Sequence, residues 1–381
     1  MSEPKPYPEA VTNSCTDSSL TDFETGGDRE ANTAPGRGCD FDKTGDPGQQ
    51  WAMTLPPPRK SDSQTSRARS AVAQVSVGGS LPGMRGQPAF VLHRRSPAPI
   101  PVLIAVPHAG RIYPSDLLAR MRNPAIASVR LEDRLIDLVA EQVALETGAD
   151  LLVARAPRAM IDLNRATDDI DWDMVAGGPP TLEWATLPRF AAGRRSRSGL
   201  GLVPRRLSGM GELWRQRLTP ADLAARIDEV HRPYHSELEA SLERLRDRWG
   251  AALLIDLHSM PPLGPKEGAG RAVDFVIGDR FGASCDGMLV QSALSHLSVG
   301  RWLASHNRPY AGGYVLDRHG APARGIHAMQ VEVCRQVYLE ETMHEPGPGL
   351  GEVVSTLVGL VRLLADEVSL RSGNGHALAA E

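Results

Sequence analysis

Lysine is almost missing from this chain of 381 residues: it occurs only at Lys5, Lys43, Lys60 and Lys266, so 38 of the 42 basic residues are arginine. Chemistry that needs a lysine, such as a Schiff base or a P-loop phosphate contact, is confined beyond the first sixty residues to Lys266. Arginine offers instead fixed forks that match carboxylates bidentately. An excess of one charge is also absent. The 42 Lys+Arg against 46 Asp+Glu leave a net charge of −4, which excludes a large positive field and with it a bulk nucleic-acid binder. Cysteine is scarce. Cys15, Cys39, Cys285 and Cys334 include no C-x-x-C pair, which argues against a disulfide framework and against a cysteine-rich zinc knuckle. No apolar run approaches the ~18 residues of a membrane span, and no charged-then-apolar leader opens the chain. The expectation is a soluble cytoplasmic protein without nucleic-acid or membrane partners, its oligomeric state open.

What is present is enough hydrophobic residue, 41%, for a substantial core. It is unevenly spread. Residues 1–100 hold 12 of the 30 prolines together with Ser, Thr, Asp and Gly at little periodicity, a composition that cannot offset its conformational entropy by burial. Residues 1–86 are therefore expected to be a disordered tail and 87–381 the catalytic domain. From Ala89 onward short apolar runs alternate with helical segments, which predicts an α/β fold with a largely parallel sheet. Strands are expected at Pro101–Val106, Leu151–Ala156, Ala252–Leu257, Val273–Ile277 and His327–Val333, with a short extended piece at Ala159–Leu163. Leu131, Leu135, Leu138, Val139 and Val143 recur at helical spacing until Gly148. Thr219-Pro220-Ala221-Asp222 is a helix start, with the helix running to about Trp249 and bent near Pro233. Further helices are expected near Asp286–Leu297 and Leu350–Leu370. Trp172–Ser208, rich in Gly, Pro and Arg, is too long and irregular for a tight connection and is expected to cover a site.

In open α/β sheets ligands bind beyond the carboxyl ends of the strands. Polar residues stand there at His108, Asn164-Arg165, His258-Ser259 and Glu332. Histidines at two strand ends are what a metal centre built on a sheet requires, and Asp133 or Asp137 on the following helix could add a carboxylate. Asp256, two residues before His258 and so on the same strand face, could orient a ligating imidazole or neutralise an arginine. Glu332 could take a proton from a hydrolytic water, or face solvent at a sheet edge. Arg158, Asn164 and Arg165 suit an anionic substrate, or surface ion pairs. Ser259 has no G-x-S-x-G elbow around it. Gly177-Gly178 and Gly264–Gly270 lack a Walker or dinucleotide spacing.

Seven motifs in order carry a resemblance. Val106-Pro107-His108-Ala109-Gly110 with Tyr113-Pro114, Ile161-Asp162-Leu163-Asn164-Arg165, Pro233-Tyr234-His235, Asp256-Leu257-His258-Ser259-Met260-Pro261, Gly278-Asp279-Arg280-Phe281-Gly282, Asn307-Arg308-Pro309-Tyr310-Ala311-Gly312-Gly313 and His327-Ala328-Met329-Gln330-Val331-Glu332 together resemble the N-formylglutamate amidohydrolases, over about Ala89 to Met343. The resemblance implies a zinc-exopeptidase-like, three-layer αβα fold with a mixed, mostly parallel central sheet, of the phosphorylase/hydrolase-like kind. It implies a zinc site, or another divalent metal, held by His108 and His258 with Asp133 as third ligand. The carboxypeptidases carry their acidic ligand three residues after the first histidine; here that position is Arg111, so Asp133, Asp137 and Glu132 stay open. Glu332 would be the base. Arg158, Asn164 and Arg165 would hold the carboxylates, and Gly313 would let the backbone approach the pocket. The implied reaction is hydrolysis of N-formyl-L-glutamate to formate and L-glutamate in histidine degradation; the alternative is a related amidohydrolase or carboxypeptidase-like enzyme acting on another small anionic N-acyl amino acid.

Overall fold

In the computed structural model the described residues are 72–179, 195–265 and 270–378; Lys266 and residues 180–194 of the expected covering segment lie outside them. Strands form where apolar residues dominate short runs. β3 (Val102–Val106), β7 (Ala252–Met260) and β10 (Ile326–Cys334) are buried at every position, the signature of strands covered on both faces. They pair in parallel, β3 with β7 and β7 with β10, and β4 (Asp150–Ala154) adds in parallel beyond β3. The sheet has eight strands in the order β1-β2-β4-β3-β7-β10-β8-β9. β1 (Val72–Gly78) and β2 (Phe90–Ser96) extend one side antiparallel; β8 (Phe275–Gly278) runs antiparallel to β10, and β9 (Ala304–His306) parallel to β8. A short ribbon of β5 (Arg206–Leu207) and β6 (Gly211–Glu212) stands apart.

Strand side chains alternate between two cores, because successive residues point to opposite faces. Ile104, Val106, Leu253, Ile255, Leu257 and Val331 face one helical layer, built from α3 (Ile136–Thr147), α6 (Gly287–Val299) and α8 (Leu350–Leu378). Leu103, Ala105, Leu254 and Ala328 join Tyr234, Leu238 and Leu242 on the other, where α5 (Arg232–Trp249) and the short α7 (Tyr314–His319) lie. The result is the three-layer α/β arrangement with a mixed sheet. Asp256, His258, Gln330 and Glu332 share parity with Leu254 and Ala328, so all four project toward the α5 and α7 side.

Local chemistry explains the helices that flank the site. Thr219 opens α4 (Pro220–Arg226) with a capping box: its hydroxyl accepts the Asp222 N–H at 3.0 Å and the Asp222 carboxylate accepts the Thr219 N–H at 3.1 Å. A π turn at Ile227–His231 joins α4 to α5. Pro233 has no N–H to give the Glu229 carbonyl, and that carbonyl accepts instead from Ser80 at 2.9 Å.

Three expectations need correction. Residues 72–86 were expected in a disordered tail, yet they form β1 and a turn that buries Leu81; residues 1–71 lie outside the described residues. Every residue of β1 from Val72 to Val77 is exposed, so its ordering comes from pairing with β2, which no burial pattern announces. Ala159–Leu163, expected as an extended piece, is instead a buried turn, its Met160 N–H bonded to the Pro157 carbonyl and its Asp162 N–H to the Leu202 carbonyl. The helical spacing from Leu131 to Val143 covers two helices, α2 (Pro124–Leu131) and α3, divided where the Asp133 N–H bonds the His108 carbonyl at 2.9 Å. α1 (Ser115–Arg120) precedes them.

Candidate metal centre and its arginine-lined pocket

His108 follows β3 directly, because Pro107 cannot continue a central strand. Its Nε2 lies 2.7 Å from Asp162 Oδ1, and its buried Nδ1 has no hydrogen-bond partner. That nitrogen faces Asp133 Oδ2 at 3.6 Å. His258, near the end of β7, has Nε2 at 2.9 Å from Asp256 Oδ2 and Nδ1 at 2.9 Å from Asp133 Oδ2. Asp133 is brought to this point by the break between α2 and α3. The ligand atoms of His108, Asp133 and His258 all lie within 4.8 Å of one another, and all three residues are buried.

Arg158 and Arg335 reach the outer oxygens of Asp162 and Asp133. Three carboxylates surround two imidazoles. Burial opposes charge on His258, but Asp256 and Asp133 hold its proton well above the ordinary histidine range. Burial likewise works against the Asp133 carboxylate, and the two imidazoles nevertheless keep it well below the usual range. The Asp162 and Asp256 carboxylates hold the Nε2 of His108 and of His258, so each ring turns its Nδ1 inward toward Asp133, an arrangement that could orient metal-binding imidazoles. The other two acids are engaged elsewhere. Asp137 is clamped by both terminal nitrogens of Arg111, at 2.8 and 2.6 Å, and Glu132 by Arg134 at 2.7 Å.

Glu332 sits opposite His258 in the β7–β10 register and is buried, not at a solvent-facing edge. Gln330 donates to its Oε1 at 2.9 Å. Burial, reinforced by the charges of Asp133 and Asp256 and opposed by His258 and Arg158, pushes the Glu332 carboxyl up to about 7. Arg158 donates to Asp162 Oδ2 at 2.9 Å, so it also braces the carboxylate behind His108. Arg165 is anchored through Nε to the Leu200 carbonyl and through Nη1 to its neighbour's carbonyl. The Asn164 carbonyl oxygen Oδ1 accepts the Val315 N–H at 2.9 Å, and its amide lies 3.4 Å from His258 Nε2. Gly313 is where the backbone comes close: a Cβ there would meet Asn164 Oδ1 at 2.5 Å.

These residues line a cavity of about 820 Å³, into which Arg195 and Leu200 of the expected covering segment also project. Seven arginines border it, Arg280 and Arg335 among them. Sequence reasoning gave no role to Asp162, Gln330 or Arg335. Arg335 is buried at the end of β10, where it donates to Ser259 Oγ and the Glu132 carbonyl and reaches Asp133 Oδ1 at 3.4 Å. Asp162 and Gln330 had a signal, a lone polar residue inside an apolar run at the spacing of another candidate; Arg335, one of 38 arginines, had none.

Residues 100–339, which contain every one of these groups, match the family model for N-formylglutamate amidohydrolase. The chain belongs to this family. It is 31% identical over 254 residues to the N-formylglutamate deformylase of Pseudomonas putida, covering 64% of this chain and 83% of the relative. The deformylase of Pseudomonas aeruginosa is 30% identical over 249 residues, with the same coverages of 64% and 83%. A crystal structure of N-formylglutamate amidohydrolase from Ralstonia eutropha JMP134 superimposes with a TM-score of 0.65 at 31% identity, over 74% of this chain and 98% of that one. A gene product of Agrobacterium tumefaciens shares the fold at 16% identity, TM-score 0.51, over 74% and 94% of the two chains. The amidohydrolase is thus an α/β enzyme of known family whose candidate centre lies wholly inside the family span. No described helix is long and apolar enough to cross a membrane.

Proposed function

We propose that the amidohydrolase hydrolyses N-formyl-L-glutamate to formate and L-glutamate at a divalent metal centre of His108, Asp133 and His258. The observation that carries this is the inward, partnerless Nδ1 of buried His108 facing Asp133 and His258. Two imidazoles and one carboxylate with their outer atoms braced make a donor set that suits Zn²⁺ with a position left open. When bound, the ion supplies Lewis acidity toward the formyl oxygen and the attacking water.

The chain's own residues supply the rest. Glu332 accepts the proton of the attacking water and passes it to the amine that leaves, and its raised pKa near neutrality suits both transfers. Gln330 fixes the rotamer of that carboxylate. Arg158 and Arg165 receive the substrate carboxylates, with Asn164 tying their loop to the Val315 N–H and Gly313 leaving it room. Asp162 and Asp256 keep the imidazoles turned. A small anionic N-acyl amino acid is the partner that this arginine lining favours. The names of the curated relatives support N-formylglutamate itself, and with it a place in histidine degradation.

A second reading, a larger N-acyl amino acid, is favoured by the cavity volume of about 820 Å³, within the range that accepts drug-sized ligands. Formate and amine release measured on a panel of N-formyl and longer N-acyl amino acids decides between them. N-formyl-L-glutamate is expected to show the highest kcat/KM, and a preference for a longer acyl group or a neutral side chain would reject the assignment.

A further inference from the structure

A second cluster of imidazoles lies behind the arginine arm of the pocket. His231, on the π turn, and His235, in α5, have ring centroids 4.3 Å apart, and His319 at the end of α7 stacks on His235 at 5.3 Å. All three are buried. Their protons can be assigned from their partners, since a backbone carbonyl only accepts. His231 Nε2–H donates to the Arg165 carbonyl at 2.8 Å and His235 Nε2–H to the Leu163 carbonyl at 2.9 Å. A neutral His235 then has its lone pair at Nδ1, where it accepts from His319 Nε2–H at 2.9 Å. Burial pushes His231 down to about 4 and His319 to about 3, and holds His235 well below its ordinary value, so the neutral tautomers persist at neutral pH.

The two carbonyls bracket Asn164. Its Oδ1 holds the Val315 N–H at the start of α7, and α7 returns His319 to His235. Helix α5, the loop of Asp162–Arg165 and helix α7 thus close a circuit through His235, Asn164 and His319 whose links are buried hydrogen bonds, and the part-buried bond of His231 adds the Arg165 carbonyl to it. Such networks specify one geometry because each unmet partner is costly in a low dielectric. We propose that His231 and His235 are positioning residues of the substrate arm, fixing the carbonyls on either side of Asn164 so that the Arg165 guanidinium meets a substrate carboxylate. The inference rests on the proposed function for the identity of that carboxylate.

The test compares His231→Gln and His231→Leu on N-formyl-L-glutamate, with metal content and thermal midpoint measured alongside. Glutamine can present an amide N–H near the place of Nε2; leucine fills the space and donates nothing. The leucine variant is expected to raise KM about tenfold while kcat stays within about threefold, the mark of lost binding geometry rather than lost chemistry, and metal content unchanged. The glutamine variant is expected to keep KM near the parent value. Unchanged KM in the leucine variant, with loss appearing only as a lower melting point, would overturn the proposal. Should that variant not fold, His235→Gln and His235→Asn take its place: glutamine reaches the Leu163 carbonyl and the shorter asparagine does not, so equal KM values reject the proposal. If the parent enzyme does not turn over N-formyl-L-glutamate, the proposed function fails first, and the same KM comparison is made on the panel substrate that it does hydrolyse.

Discussion

At the scale of single residues, what separates Asp133 from its neighbours is how each carboxylate is engaged: Arg335 reaches only Oδ1 of Asp133, at 3.4 Å. Asp137 lies in the fork of Arg111 and Glu132 against Arg134, while Asp133 Oδ2 is left to two imidazoles. Asp133→Asn is therefore expected to lose most of its metal and its activity, whereas Asp137→Asn keeps both and loses only part of its partly buried clamp with Arg111. Metal analysis of the two purified variants checks this, and equal loss in both would place the ligand wrongly. Glu332→Gln is expected to keep the metal and to lower kcat by roughly 10²–10⁴, the contribution of a positioned acid–base group. The pH profile gives the sign. Glu332 works as a base only when deprotonated, so activity falls as pH drops through its pKa; burial sets that value at about 7, and a bound cation draws it lower. An acid limb at or below pH 7 is expected in the parent enzyme and its disappearance in the variant. The sequence could name His108, His258 and Glu332 because each stands at a strand end in an apolar run. It leaves three acids open, because which of them faces the two imidazoles and which lies against an arginine is set by tertiary folding.

At the scale of elements, the legible parts are those whose burial leaves a pattern. β3 reads as an uninterrupted apolar run, β7 and β10 as apolar strands interrupted by a few polar residues, α4 as a capping box, and α3 as a helix stopped by Gly148 in the left-handed conformation. The illegible parts are those set by long-range hydrogen bonds. The break that delivers Asp133 comes from a bond to the His108 carbonyl, and the apolar run Ala159–Leu163 is spent on a buried turn and not on a strand. That turn carries the substrate arm, and α7 packs on it through Gly313. Gly313→Ala puts a Cβ 2.5 Å from Asn164 Oδ1; overpacking of this kind costs about 1–3 kcal/mol. A lower thermal midpoint together with a raised KM is expected, because relief requires Asn164 to move. A normal KM in this variant would show that Asn164 does not set the arm.

At the scale of the whole molecule, sheet and site are one construction. Parallel β3, β7 and β10 bring His108, His258 and Glu332 to one end, and the parity of the strands puts Asp256, His258, Gln330 and Glu332 on one face. The boundary of the expected tail is the poorest expectation, because β1 is exposed from Val72 to Val77 and ordered by its pairing with β2. Deleting residues 1–71 is expected to leave melting and kcat/KM near those of the full chain. Deleting 1–86 also removes β1 and Leu81, whose burial alone is worth roughly 2 kcal/mol, and bares the β2 edge to aggregation. Melting curves of the two truncations compare them directly; equal stability would return β1 to the tail. The scarcity of lysine confines amine chemistry beyond the first sixty residues to Lys266, and arginines line the pocket and brace Asp162 and Asp133. Everything then turns on the cation. The decisive measurement is formate release from N-formyl-L-glutamate by the enzyme stripped with a chelator, then titrated with Zn²⁺. Activity is expected to vanish with the metal and to return at about one ion per chain, and not at all in His258→Ala; full activity in the stripped enzyme would contradict the account.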